Sequence, residues 1–346
     1  MGSNTCALGA SSPLSGGWRR AFHAGLILAI VASALTLVIH TPASEARTAN
    51  LRWAYYVTYD STSLTSLQAH IGQLDVVAPV FYQLDGNGQI VDHSDPIALS
   101  IMRGANVLII PVIQNIKQHA DFHNEFATGA QRDAIASRIA SLVISQNYAG
   151  INIDFEGIDP SDGPNLDDFM SRLGTKLHAA GKLVTEAIPA KTSDSTTGWG
   201  GAYDYQTLGS LNDYVVIMGY DFHYAGGPPG AIAPIGWVQQ VISYTESRMA
   251  PATALLGIGL YGYDWDTTKG GSATARRYDQ TQAILHQPGV KSLTTSYDAT
   301  NQAPWIKYTD SNNDQHTLWY ENGQSFSAKL QAGLNAGLGG FALWRL

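Results

Sequence analysis

The apolar and polar positions along the chain fall into eight short apolar runs separated by longer stretches of helical period. The runs lie at Arg52–Thr58, Val76–Gln83, Val107–Gln114, Gly150–Glu156, Leu183–Pro189, Tyr214–Tyr220, Leu255–Tyr261 and Gly340–Trp344. Their length and their Val, Ile and Tyr content predict strands. The clearest helical patterns between them are Ala130–Ser145, followed by Asn147, and Asn165–Ala180, followed by Gly181 at a C-cap position. Eight strands joined by crossovers of this length predict an α/β fold, a (β/α)8 TIM barrel. The rival is an open doubly wound sheet. It would carry a glycine-rich phosphate loop after the first strand, and none follows Thr58.

The seventh and eighth runs are unusually far apart. Residues 263–324 hold turn signals, Asp310-Ser-Asn-Asn313 and Glu321-Asn-Gly323, and two strand-like pieces, Trp305–Thr309 and His316–Tyr320. This predicts a small α+β insertion on the rim of the barrel. Ser327–Asn335 reads as the helix leading to the last strand, and the sequence stops at Leu346 with no helical pattern after that strand.

One run differs from the others. In Tyr148-Ala-Gly-Ile-Asn-Ile-Asp-Phe-Glu-Gly-Ile158 apolar and polar residues alternate. A strand with this alternation sends Asn152, Asp154 and Glu156 to one face and Ile151, Ile153 and Phe155 to the other. Buried polar groups need hydrogen bonds, and buried carboxylates shift their pKa or find partners. Two carboxyl groups in unlike surroundings can separate into an acid and a base or stabiliser. Same-face neighbours on a strand are about 7 Å apart. Asp154 is therefore expected deeper in the barrel, with Glu156 at the rim, where the anion beneath it raises its pKa.

The remaining composition narrows the function. Formal net charge is −8 over 346 residues, with no long basic run, which argues against a nucleic-acid partner. Arg19 and Arg20 precede an apolar stretch from about Ala24 to Ile39, and Thr41-Pro-Ala-Ser-Glu-Ala46 follows. That order fits a signal peptide cleaved after Ala46, or an uncleaved membrane anchor. Residues 1–46 are then the targeting segment and 47–346 the working domain. Its place is outside the cytoplasmic membrane, secreted or at the cell surface, and a monomer is expected. Cys6 is the sole cysteine and precedes the apolar stretch, so no disulfide is expected in the domain.

Active sites of such barrels lie at the C-terminal ends of the strands. Glu156 ends the fourth strand; Met218, Tyr220 and Asp221 end the sixth; Tyr261 ends the seventh; Trp344 ends the eighth. Asn115, Trp265 and Tyr82 are further lining candidates. An acidic, aromatic-lined cleft suits sugars, whose apolar faces stack on rings while their hydroxyls bond to carboxylates and amides. His119 and His123 are four apart, but no Glu follows the first to complete a zinc-protease pattern, so no metal or other cofactor is expected. Ser193 and Ser195 lack the strained elbow of a hydrolase serine, and Thr192–Gly198 reads as loop.

Four motifs in this order carry a resemblance. Gly150-Ile-Asn-Ile-Asp-Phe-Glu156 resembles the strand-four signature of glycoside hydrolase family 18, in particular its bacterial spore-cortex and cell-wall N-acetylglucosaminidase branch. Met218-Gly-Tyr-Asp221, Leu256-Gly-Ile-Gly-Leu-Tyr-Gly-Tyr-Asp-Trp265 and Gly339-Gly-Phe-Ala-Leu-Trp344 resemble the motifs of strands six, seven and eight. Tyr308-Thr-Asp310 and Leu318-Trp-Tyr-Glu321 resemble the inserted subdomain. Two positions depart from the family pattern of four acidic residues, which here begins with Ala149 and Asn152, and Gly259 stands where proline is frequent.

The resemblance implies a glycosidase acting on a polysaccharide that contains N-acetylglucosamine, peptidoglycan or chitin-type. It assigns Glu156 as the acid and then the base, and Asp154 as the residue that orients the substrate's own acetamide. Tyr220, Asp221, Met218, Trp344, Tyr261 and Asn152 become substrate-binding candidates. A non-catalytic sugar-binding barrel is the alternative, and retention of Glu156 speaks against it.

Overall fold

The computed structural model describes residues 50–115 and 120–346. Residues 1–46, expected to be a targeting segment, and His119 lie outside the described residues. Eight strands form the barrel: β1 (Leu51–Val57), β2 (Val76–Leu84), β3 (Val112–Asn115), β4 (Gly150–Asp154), β5 (Leu183–Pro189), β6 (Tyr214–Met218), β7 (Ala254–Gly259) and β8 (Gly340–Trp344). Each is parallel to its neighbours, and β1 pairs with both β2 and β8, which closes the ring.

Closure divides the side chains into two sets. Leu51, Trp53, Tyr55, Val76, Ala78, Val112, Ala187, Val216, Leu255 and Ala342 fill the interior. Their sequence neighbours Ala54, Tyr56, Val77, Ile151, Ile153, Phe155, Val184, Ile188, Val215 and Ile217 pack outward against the helices. A closed barrel buries both faces of every strand, so the strands read as continuous apolar runs.

The two clearest helices form as the pattern predicts, over Gly129–Ser145 and Gly163–Ala179. Thr128 and Gln131 form a capping box on the first. Asn147 (φ 53°) and Gly181 (φ 67°) end the two in the left-handed region. The third apolar run is split. Leu108–Ile109 makes a short bridge to β2, and β3 itself starts only at Val112. The break falls at Ile110-Pro111, where proline has no N–H for the ladder.

The insertion is a five-stranded antiparallel sheet in the order Thr274–Arg277, Tyr261–Asp266, Gln315–Tyr320, Ala303–Thr309, Lys291–Asp298. The helix Tyr278–Ile284 belongs to it, with Ile284 packed against Ile306, Tyr308 and Leu318. Asp264 is buried and accepts hydrogen bonds from Arg276, Tyr308 and His316.

The seventh run was expected to continue to Tyr261. Instead β7 stops at Gly259, and Tyr261 opens the inserted sheet. A Cβ at position 259 would lie 2.6 Å from the Tyr261 ring, so glycine there leaves room for that ring.

Candidate active site

β4 can approach β5 closely because residue 150 is glycine; a Cβ there would meet the Leu183 carbonyl oxygen at 2.3 Å. Phe155 anchors the end of the segment on the outer side, in a cluster with Phe122, Phe126 and Phe169. The Tyr203 hydroxyl donates to the Phe155 carbonyl at 2.5 Å. With Phe155 fixed outward, Asp154 and Glu156 face the interior.

Asn152 is the deepest of the three and fully buried. Its Oδ1 accepts from the Tyr55 hydroxyl at 3.2 Å, and its Nδ2 donates to Thr185 Oγ1 at 3.0 Å. Both ends of the amide are committed to the barrel. Asn152 thus sits at the floor of the site, tied to β1 through Tyr55 and to β5 through Thr185.

Asp154 is 5 % exposed and accepts from Gln114 Nε2 at 2.8 Å. Burial pushes its pKa up to about 6, against the lowering effect of the Gln114 amide. Glu156 lies just past the strand end and is partly exposed. Its main chain is gripped by Asn115: Nδ2 donates to the Glu156 carbonyl at 2.8 Å, and Oδ1 accepts from the Glu156 N–H at 2.9 Å. Burial raises the Glu156 pKa to about 7, aided by the negative charges of Asp154 and Asp221.

After β6 the chain carries Tyr220 and Asp221 to the same place. Asp221 adopts φ 63° and accepts from the hydroxyls of Tyr261 and Tyr263. Burial raises its pKa, while both tyrosines oppose the rise. The Tyr220 ring meets that of Tyr261 edge-on, centroids 6.1 Å apart. Tyr220 also lies within electrostatic range of Tyr55, Asp154, Glu156 and Asp221, and burial holds its hydroxyl protonated. Trp344 ends β8 and packs edge-on against Tyr55 at 5.4 Å. Met218 ends β6, half-buried, beside Pro189 and Gly257.

Thus Asp154, Glu156, Tyr220, Asp221 and Tyr261 converge, with Trp344 joined to them through Tyr55. Two further lining candidates do not. Tyr82 is buried on the helix side, its hydroxyl 2.9 Å from that of Tyr148. Trp265 is 3 % exposed, and its indole N–H donates to the Gly227 carbonyl, which pins the loop after β6 to the inserted sheet. Asn115 does contact the site, through the Glu156 backbone.

Sequence reasoning missed Gln114, Tyr55 and Tyr263. Gln114 had a signal, a polar residue directly after Val112-Ile113. Tyr55 had none, since it sits in the aromatic run Trp53-Ala-Tyr-Tyr56.

His123 pairs with Asp162 at 2.9 Å. Ser195 donates its hydroxyl to the Thr197 carbonyl within the expected loop. Among the described residues no group of three or more His, Cys, Asp or Glu side chains could hold a metal ion.

The family model for glycosyl hydrolases family 18 matches residues 52–346, the whole barrel with its insertion. The chain belongs to this family. The chain is similar in sequence to the cortical fragment-lytic enzyme of Bacillus subtilis, 31 % identical over 271 residues that make up 77 % of this chain and 63 % of that protein. The chain therefore spans less than two thirds of that relative's length. Among solved structures, the Bacillus cereus spore cortex-lytic enzyme SleL superposes with a TM-score of 0.79 at 26 % identity, covering 86 % of this chain and 71 % of that one. A chitinase from Chromobacterium violaceum superposes with a TM-score of 0.80 at 27 % identity, covering 86 % and 94 %. Family 18 membership agrees with the closed barrel, the inserted sheet and the converging carboxyl groups.

Proposed function

We propose that this family 18 glycoside hydrolase is exported and cleaves β-1,4 bonds after N-acetylglucosamine in peptidoglycan or chitin-type chains, with retention of configuration. The observation that carries the proposal is the stacked pair of carboxyl groups: Glu156 at the rim with its pKa raised toward neutrality, and Asp154 beneath it, buried and bonded to Gln114.

Glu156 gives its proton to the glycosidic oxygen as the bond to the anomeric carbon breaks. The carbonyl oxygen of the substrate's 2-acetamido group forms the new bond to that carbon, in the substrate-assisted manner open to an N-acetyl sugar. Asp154 accepts from the acetamide N–H and offsets the positive charge that develops on the group. The Tyr220 hydroxyl donates to the acetamide oxygen. Water then attacks the anomeric carbon as its bond to the acetamide oxygen breaks and the neutral acetamide is restored, and the Glu156 carboxylate takes the water's proton. Two inversions at one carbon return the original configuration. Asp221, Tyr261, Met218 and Trp344 hold the sugar.

Export rests on the basic, apolar and small-residue order of residues 19–46. The similarity to proteins named as cortex-lytic enzymes and as a chitinase supports both polymers. The test is release of reducing ends from purified peptidoglycan and from chitin oligomers, with mass spectrometry of the products. Fragments ending in reducing N-acetylglucosamine are expected. Binding of both polymers without cleavage of either would favour the sugar-binding alternative.

A further inference from the structure

The last two residues of β3 are amides, and each is committed to one of the two carboxyl positions. In the β3–β4 register Gln114 stands beside Asp154, and its Nε2 donates to Asp154 Oδ2 at 2.8 Å. β4 ends at Asp154, so strand pairing no longer fixes the peptide of Glu156. The Asn115 side chain takes over with its two-point grip on the Glu156 N–H and carbonyl, 2.9 and 2.8 Å. An amide side chain has a donor and an acceptor on one plane, which matches the N–H and C=O of a single residue.

We infer that Gln114 and Asn115 are positioning residues, Gln114 directing the shared proton of the carboxyl pair to Glu156 and Asn115 setting the height of the Glu156 carboxyl above Asp154. This inference rests on the mechanism proposed above. With one proton on the pair, two arrangements compete: ionised Asp154 beneath protonated Glu156, which is productive, and the reverse, which has neither an acid nor an anion in its place. A Gln114 N–H donor favours the ionised form of Asp154 and so favours the productive arrangement.

The other groups facing Asp154 do not decide between the two. Tyr55 on β1, Tyr203 after β5 and Tyr220 after β6 are all held protonated by burial. Glu156 faces Asp154 from β4 and Asp221 from the β6 end, both acidic.

The experiment is the pH profile of the full chain carrying Gln114→Met, which keeps the side-chain length and removes the donor, measured on chitin oligomers. The expected result is a lower kcat at every pH, KM within about twofold, and an acid limb moved up by about 0.5–1 pH unit, the effect of one lost donor to a buried carboxylate. Asn115→Ala should lower kcat about tenfold, about 1.4 kcal/mol, with KM nearly unchanged.

An acid limb that stays at its wild-type position would overturn the role of Gln114 even if kcat fell. A wild-type kcat in Asn115→Ala would overturn that of Asn115. Where Gln114→Met yields too little folded protein, Gln114→Leu serves. It too removes the donor to Asp154, so the acid limb must move up, and an unmoved limb again overturns the inference. If the wild-type chain cleaves neither polymer, the fault lies with the proposed function and not with these two residues.

Discussion

Replacing Glu156 by Gln removes a proton and a charge while keeping the shape. Asn115 holds the main chain of residue 156, so the new side chain starts from the same place. Loss of a general acid lowers turnover by about 10²–10⁴-fold, or about 3–5 kcal/mol on the barrier. Binding should survive, because Trp344, Tyr220 and Asp221 are untouched.

Stability supplies an internal control. The folded-state pKa of Glu156 is raised from an ordinary 4.5 to about 7. A raised carboxyl pKa leaves the folded state holding a proton that the unfolded chain releases. Stability is therefore lost as pH climbs from about 4.5 to about 7, by up to about 3 kcal/mol. Glu156→Gln escapes this loss, so its Tm should exceed that of the wild type at pH 8, and the two should converge near pH 4. The assays are reducing-end release from chitin oligomers near pH 6, calorimetric binding of the same oligomers, and thermal melts at both pH values. Turnover within about threefold of wild type would refute the acid assignment, and identical melts at pH 8 would refute the burial argument behind it.

Two further outcomes are expected. The wild-type rate should be bell-shaped in pH, falling below about 6 as Asp154 gains a proton and above about 7 as Glu156 loses one, while Asp154→Asn should lower kcat and move the alkaline limb down because a charge raising the Glu156 pKa is gone; a flat profile through this range would contradict both. Away from the site, Glu186 is 1 % exposed, burial pushes its pKa up to about 8, and its neighbour Asn212 keeps a buried Oδ1 without a partner. Here too the proton is held in the folded state, so stability falls from about pH 4.5 to about 8. Glu186→Gln should raise Tm at pH 8 and little near pH 4, and a lower Tm at both would contradict this.

The barrel was legible because its eight strands are apolar on both faces and separated by helical period. β4 was legible in finer detail, because Asn152, Asp154 and Glu156 are polar residues inserted into an apolar run, and only a site or a costly defect produces that pattern. Ends of elements were less visible. β4 stops two residues short of Glu156, whose backbone is held by a side chain from β3 rather than by the ladder. Tyr261 belongs to the insertion, pairing with Arg277 across the inserted sheet, a partner visible only in three dimensions.

Long-range partners were not visible at all. Nothing local tells Gln114 from other polar strand ends, or Tyr55 from Tyr56 beside it, one facing the interior and the other the helices. Tyr82 and Trp265 were expected in the lining because aromatic residues suit sugars, yet each satisfies its polar atom within the protein. Two strands of the insertion, Thr274–Arg277 and Lys291–Asp298, were missed where the chain is polar and mostly exposed.

The proposed mechanism requires the substrate to supply its own nucleophile above Asp154. Partially deacetylated chitin oligomers of known sequence test this directly, by mass-spectrometric mapping of the bonds cut. Cleavage only where the sugar on the non-reducing side of the bond keeps its acetamide is the predicted result. Comparable cleavage after deacetylated glucosamine would contradict it.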